Sequence, residues 1–310
     1  MISGEYVVLD GVDALVAAVD ARVVARLSPP RSDGSPEEAR GSPRGGGLPP
    51  EAVLARKYAE DELGAVPMEL TIDTSALRSG DRKLGLGSSA AASAASAAAV
   101  LAYHGGDPAR ERPRILRWAL AGHRAVAPQG SGADVAASTL GGVVRFNRGS
   151  PEAASNVAWP EDLEVVVVWT GQPARTSDLL ARVRGLAERD RARYEQASAA
   201  LRDAARALLA AVIDDDTVGV VRAAGAHGRA MARLGEEAGA PIVTEPLARA
   251  ATLAARLGGA AKPSGAGGGD VALAFFADRD AAARFRAECP RAGLTPLSLG
   301  LGAEGVRADP

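Results

Sequence analysis

The stretch KLGLGSSAAASAASAAAVLAYH, Lys83–His104, joins a glycine turn directly to a run of alanine. Alanine is the best helix former and glycine among the poorest. The chain is therefore expected to turn at Gly85–Gly87 and to wind into a helix beyond it. The first N–H groups of a helix have no intrahelical partners, and the helix dipole is positive there. Glycines let such a turn approach an anion without a Cβ in the way. Backbone N–H groups of Gly85, Leu86, Gly87, Ser88, Ser89 and Ala90 can then cradle a phosphate, and the Ser88 and Ser89 hydroxyls can serve phosphate oxygens or a metal ion. A plain core helix capped by its own serine remains the alternative reading. The spacing G-x-x-x-x-G-K-[ST] is absent, which excludes a P-loop NTPase.

A second glycine loop, GAGGGD (Gly265–Asp270), lies between two apolar segments. A hairpin needs only one or two glycines, so four in six positions point to close approach to a ligand or to the first loop. A third turn, GSGAD, places Asp134 just inside a helix start. Alone it reads as a structural acid; beside phosphate-type loops it becomes a candidate base or electrostatic anchor. The lysines are Lys57, Lys83 and Lys262, against a background of arginine, and two of the three flank glycine loops. A compact ammonium can act as a point charge on phosphate where a guanidinium would crowd the turn. His104, His123 and His227 fall in helical or exposed contexts without metal-ligand spacing. Cys289 precedes a proline at a helix end, which is no setting for a nucleophile.

The 310 residues suffice for one large or two smaller domains, and the net charge of −2 gives no basic field for nucleic acid. A single cysteine excludes an intrachain disulfide and suits a reducing cytoplasm. No apolar run is long enough to span a membrane, and the N-terminus lacks the pattern of a signal peptide. GEYVVLDG reads as a strand that begins almost at residue 1. Ser28–Pro50, rich in Pro, Gly, Ser and charge, reads as a long mobile loop. Pro151–Pro160 turns polar and marks a domain boundary. LEVVVVWTG reads as a buried strand, and Ser177–Ala211 as one long helix. Helices and strands together give an α+β class in two layers.

Taken together, the motifs resemble the GHMP kinase superfamily. GEYVVLDGVDALVAAVD is similar to its first motif, GLGSSAA to its ATP phosphate loop, and KPSGAGGGDVALAF to its third motif. The resemblance implies a ribosomal protein S5 domain 2-like N-terminal domain, 1–158, that binds ATP, and a ferredoxin-like C-terminal domain, 159–310, with the site between them. Within the superfamily the phosphomevalonate kinase branch is most similar. Tyr6 follows the glutamate of GEY where mevalonate kinases usually carry histidine. Lys83 stands two residues before Gly85, Asp–Val–Ala follows GSGA, and WTGQPARTSDLLARV resembles that branch after the domain boundary. GLGSSAA differs from the loop of the related diphosphomevalonate decarboxylase.

The implied activity is ATP-dependent phosphorylation of mevalonate 5-phosphate to the 5-diphosphate, a step of isoprenoid biosynthesis by the mevalonate pathway. Lys83 and Asp134 are the implied catalytic residues, and Ser89 the implied Mg²⁺ ligand. Tyr6, Ser131, Gly132, Arg175, Thr176, Ser264, Gly265 and Gly267 are the implied substrate-binding residues. No nucleic-acid or membrane partner is expected. Mevalonate kinase, or another GHMP small-molecule kinase, is the competing reading. Family members usually carry APGK a few residues before GEY, whereas only Met1–Ser3 precede Gly4 here; a non-catalytic nucleotide-binding protein of this fold is therefore a third reading.

Overall fold

In the computed structural model, residues 1–30, 47–80 and 82–309 are described. Most of the expected loop Ser28–Pro50 lies outside these residues. The chain forms two compact units, one of residues 16–156 with 300–310, the other of residues 1–15 with 157–299. The expected division at 158/159 therefore differs at both chain ends. The first 15 residues belong with the later part of the chain, and the last 11 with the earlier part.

The unit of residues 16–156 and 300–310 begins within β1 (Ala14–Ala17) and contains β2 (Val24–Ser28), α1 (Pro50–Leu63), β3 (Glu69–Asp73), β4 (Arg78–Ser79), β5 (Arg82–Lys83), α2 (Ser88–Tyr103), α3 (Arg112–Val126), α4 (Ala133–Leu140), β6 (Val143–Phe146) and the start of β7 (Ser155–Val157). β2 and β3 pair antiparallel, as do β4 and β5. β1, β6 and β7 form a third sheet in the order β1-β6-β7. Helices α1, α2 and α3 pack on one another through small residues. Ala92, Ala94 and Ala97 of α2 are buried, and a Cβ on Gly122 of α3 would lie 2.6 Å from the Ala55 amide nitrogen of α1. The Ser96 hydroxyl, fully buried, donates to the Ala52 carbonyl at 2.9 Å. The alanine run thus gives close helix packing as well as helix propensity. Residues 300–306 close the unit: Gly142 N donates to Ala303 O at 2.8 Å, and Val306 N to Thr139 O at 3.1 Å.

The other unit carries an antiparallel sheet in the order β11-β8-β10-β9, built from β8 (Glu164–Trp169), β9 (Ala260–Pro263), β10 (Val271–Phe276) and β11 (Thr295–Pro296). Every residue of β10 is buried, as its central place requires. Helices α8 (Glu245–Arg256) and α9 (Arg279–Glu288) cover the sheet through Leu247, Leu253 and Phe285 against Val166, Val168 and Phe276. Helices α5 (Thr176–Arg189), α6 (Arg191–Ile213) and α7 (Thr217–Ala238) form a second core with Tyr6, Val7 and Val12.

Two sequence expectations change here. Ser177–Ala211 is two helices, because Asp190 leaves helical geometry at φ −149° and its Oδ1 caps α6 by accepting from Arg193 N at 3.0 Å. The apolar run after GEY is a 3₁₀ helix, Val7–Asp10, rather than a strand. Gly4 at φ +92° and Tyr6 at φ +63° break the extended path. A Cβ on Gly4 would stand 2.7 Å from Ala14 Cα, so two backbones pass there at a distance that only glycine allows.

Candidate active site

Within residues 16–156, the glycine turn ends where the sequence predicts. Gly85 and Gly87 have φ of +73° and +77°. The residue that precedes α2 is Gly87, in the left-handed region, and no side chain caps the helix. The alternative of a serine-capped core helix therefore fails: Ser88 and Ser89 are the first two helical residues, half-buried, with their hydroxyls outside the capping role. The first-turn N–H groups of a helix of 16 residues are left for an outside acceptor.

The GSG turn repeats this construction. Gly132, at φ +83°, precedes α4, which likewise has no side-chain cap on its first turn from that position. Ser131 is turned onto the backbone, its Oγ accepting from Ala133 N at 3.2 Å. The two turns adjoin. A Cβ on Gly87 would lie 3.4 Å from Asp134 Cβ and 3.7 Å from its Oδ2, so the carboxylate stands beside the uncapped start of α2. Lys83 is exposed on the short β5. Asp134 Oδ1 accepts from Val135 N at 3.1 Å.

In the other unit, the glycines of the loop Gly265–Asp270 pass close to Ile242, Leu179 and Gln172. A Cβ on Gly267 would overlap the Ile242 carbonyl oxygen, one on Gly268 would lie 2.7 Å from Leu179 Cδ1, and one on Gly269 would lie 2.5 Å from Gln172 O. Gly268 N donates to Ile242 O at 2.8 Å, and Asp270 N to Gln172 O at 2.6 Å. Burial raises the Asp270 carboxyl above the usual range, against the opposing hydrogen bond from Ala174 N. Of these loop glycines only Gly265, at φ +77°, has open space where a side chain would stand. Tyr6 lies in the core, its hydroxyl donating to Ala266 O at 2.5 Å. Its proton is committed to holding the loop, a part the expected substrate contact did not foresee. Ser264 Oγ donates to Met1 O at 3.0 Å. Arg175 and Thr176 are exposed at the start of α5.

A buried ionic cluster escaped the sequence reading. Lys262 does not face the glycine loop as a phosphate ligand. Its Nζ donates to Glu5 Oε1 at 2.5 Å and to Pro263 O at 2.7 Å, with both side chains essentially inaccessible. Burial opposes ionisation of Glu5, yet Lys262 beside it holds the carboxyl below the usual range. His227, also fully buried, has Nε2 3.3 Å from Glu5 Oε2 and accepts there from Gly4 N at 3.3 Å. Burial lowers its pKa to about 4, so the ring is neutral at neutral pH. The signal was present in an acid, Glu5, and a lysine, Lys262, each set in an apolar segment where a charge must find a partner.

Residues 52–142 match the family described as GHMP kinases N terminal domain, and residues 198–294 match GHMP kinases C terminal. A phosphomevalonate kinase of Streptomyces sp. (strain CL190) is 32% identical over 272 residues, covering 79% of this chain and 72% of that protein. The chain belongs to the GHMP kinase family. Its α+β architecture is the GHMP kinase fold, and the chain is a phosphotransferase. A protein of Listeria innocua superposes with a TM-score of 0.83 at 22% identity, over 97% of this chain and 95% of that one. Streptococcus pneumoniae phosphomevalonate kinase, solved in complex with phosphomevalonate and AMPPNP, superposes with a TM-score of 0.76 at 19% identity, over 97% and 96% of the two chains.

The α2 turn fits a nucleotide's phosphates, since its N–H groups and two hydroxyls are donors without an internal cap. Among the described residues no group of three or more His, Cys, Asp or Glu side chains is placed to hold a metal. The donor set therefore suits a cation that arrives on phosphates, with a serine hydroxyl and a carboxylate beside it, rather than a free-standing metal centre. No helix among the described residues is long and apolar enough to cross a membrane.

Proposed function

We propose that the chain transfers the γ-phosphoryl group of ATP to mevalonate 5-phosphate, giving ADP and mevalonate 5-diphosphate. The observation that carries the reading is the uncapped, glycine-led start of α2 with Asp134 beside it, in a chain 32% identical to a phosphomevalonate kinase. Phosphoryl transfer asks the protein mainly to position groups and to neutralise charge. A phosphate oxygen of the acceptor attacks the γ-phosphorus, and the bond to the β–γ bridging oxygen breaks. The acceptor phosphate is largely ionised at neutral pH, so no strong base is needed to free an electron pair. Two polyanions must instead meet, and each pair of unit charges at about 4 Å repels by roughly 4 kcal/mol in a surface-like medium.

Backbone N–H groups of Gly85–Ala90 hold the ATP phosphates, and Lys83 offsets their charge. Ser89, with Ser88 beside it, would hold the Mg²⁺ that travels with ATP, and the chemistry supplied there is neutralisation of phosphate charge. Ser131 and Gly132 hold the acceptor next to Asp134. Ser264, Gly265 and Gly267 shape the acceptor end of the site, with Tyr6 acting through Ala266. Arg175 and Thr176 are set to meet the acceptor's phosphate or carboxylate.

Asp134 also supports a second reading. A carboxylate beside the phosphate turn is suitably typed to be the base for a hydroxyl acceptor, as mevalonate would be. Coupled ADP release, measured separately with mevalonate 5-phosphate, mevalonate and homoserine, tests both. Turnover with mevalonate 5-phosphate at the highest kcat/KM is expected; a preference for mevalonate would replace the first reading by the second.

A further inference from the structure

Two consecutive residues of the first segment grip the chain on both sides of Ser264–Gly265. Glu5 takes Lys262 Nζ at 2.5 Å, and Tyr6 donates its hydroxyl to Ala266 O at 2.5 Å. The segment spanned by these two contacts includes Gly265, which has open space at its Cβ position, whereas Gly267, Gly268 and Gly269 are packed against protein. Gly4, immediately before the pair, donates to the buried His227 ring. Desolvating two charges costs about as much as their attraction returns. An apolar pair of similar volume is often as stable as a buried ion pair, and removing one partner is far worse than removing both. A buried pair is, however, directional: it fixes which residue of one strand stands opposite which residue of the other.

We propose that the Glu5–Lys262 pair sets the register of the 262–266 segment on residues 4–6, and that it contributes position rather than net stability. Glu5 and Lys262 are positioning residues, acting on the open Gly265 through the chain between Lys262 and Ala266. A one-residue slip would carry Ala266 O away from Tyr6 and turn the open glycine into the packed part of the loop.

The test compares Glu5→Gln, Lys262→Met and the double variant Glu5→Leu/Lys262→Met in the full chain, by thermal melting, amide hydrogen exchange of residues 264–270, and steady-state kinetics. Both single variants should melt well below wild type, since each leaves a buried group unpaired. The double variant should melt within about 4 °C of wild type. Its 264–270 amides should nonetheless exchange at least about tenfold faster, reporting a looser loop. The acceptor KM should rise at least about tenfold, with the ATP KM held within about twofold. The kinetic part rests on the proposal that this loop meets the acceptor; the exchange part uses no substrate and stays readable if that acceptor is wrong. A double variant with wild-type loop protection overturns the inference. So does one that melts lower than the single variants or fails to fold, because the pair is then a stability element. Faster exchange with an unchanged acceptor KM overturns the link to acceptor binding.

Discussion

Gly87→Ala separates a nucleotide site from a merely well-placed helix. Gly87 sits at φ +77°, where an L-residue is strained by about 1–2 kcal/mol. The new Cβ would meet Asp134 Cβ at 3.4 Å, an ordinary van der Waals distance, so no clash adds to that strain. For a unit of this size the melting midpoint should fall by only about 2–8 °C. The methyl group, however, fills the space between the α2 start and the Asp134 carboxylate. A phosphate displaced from even two of the N–H groups there loses charge-assisted hydrogen bonds of about 1.5–3 kcal/mol each. Affinity for a non-hydrolysable ATP analogue should therefore drop by at least about 10²-fold. Calorimetric titration of the variant, with a circular-dichroism melt to show that it is folded, gives both numbers. A folded Gly87→Ala protein with wild-type nucleotide affinity would refute the phosphate-cradle reading.

If the acceptor is a phosphate, Lys83→Ala should lower kcat on mevalonate 5-phosphate by about 10²–10³-fold and exceed the loss in Asp134→Asn; a hydroxyl acceptor makes Asp134 a base, at about 10²–10⁴-fold, and steady-state kinetics on mevalonate would then show the order inverted. Burial lowers the His227 pKa from 6.5 to about 4. The unfolded chain thus takes up the proton first as pH falls, and a contribution of at most about 3 kcal/mol, complete above pH 6.5, is lost between there and pH 4. Thermal melts across that window should slope less steeply in His227→Gln, whose amide oxygen can still accept from Gly4; an unchanged slope would contradict the assignment. Gly267→Ala should cost more than about 2 kcal/mol, since its Cβ would overlap the Ile242 carbonyl oxygen at φ +75°, and a wild-type denaturation midpoint would count against the described loop.

The α2 turn and its helix were legible because propensity, glycine placement and helix-end electrostatics all pointed the same way. The Gly87–Asp134 proximity was not legible as a distance. It depends on how α2 and α4 pack, which the small residues along α2 permit but do not specify. The Gly265 loop was legible as a place of close approach, whereas its neighbours within the protein were not. Its glycines accommodate Ile242, Leu179 and Gln172, residues 23 or more positions away along the chain. The run YVVLD misled because β-branched residues favour strands only where the backbone stays extended, and Gly4 and Tyr6 end that path. Lys262 was read by its neighbours in sequence, whereas its partner lies 257 residues away.

The exchange of chain ends between the compact units bears on the order in which this protein can be completed. Residues 300–306 supply contacts to Thr139 and Gly142, and Glu304 meets both Arg22 and Arg112. The unit built around the glycine turns therefore lacks part of its edge until residues 300–306 have left the ribosome. Residues 1–15, made before residues 157–299, must wait for Lys262 and His227 before Glu5 has a counter-charge to bury against. Neither unit can be finished domain by domain during synthesis, as a chain of two consecutive domains would be. A nascent chain halted near residue 158 holds an orphaned acid at one end and an open edge at the other, a species suited to chaperone capture rather than to early folding.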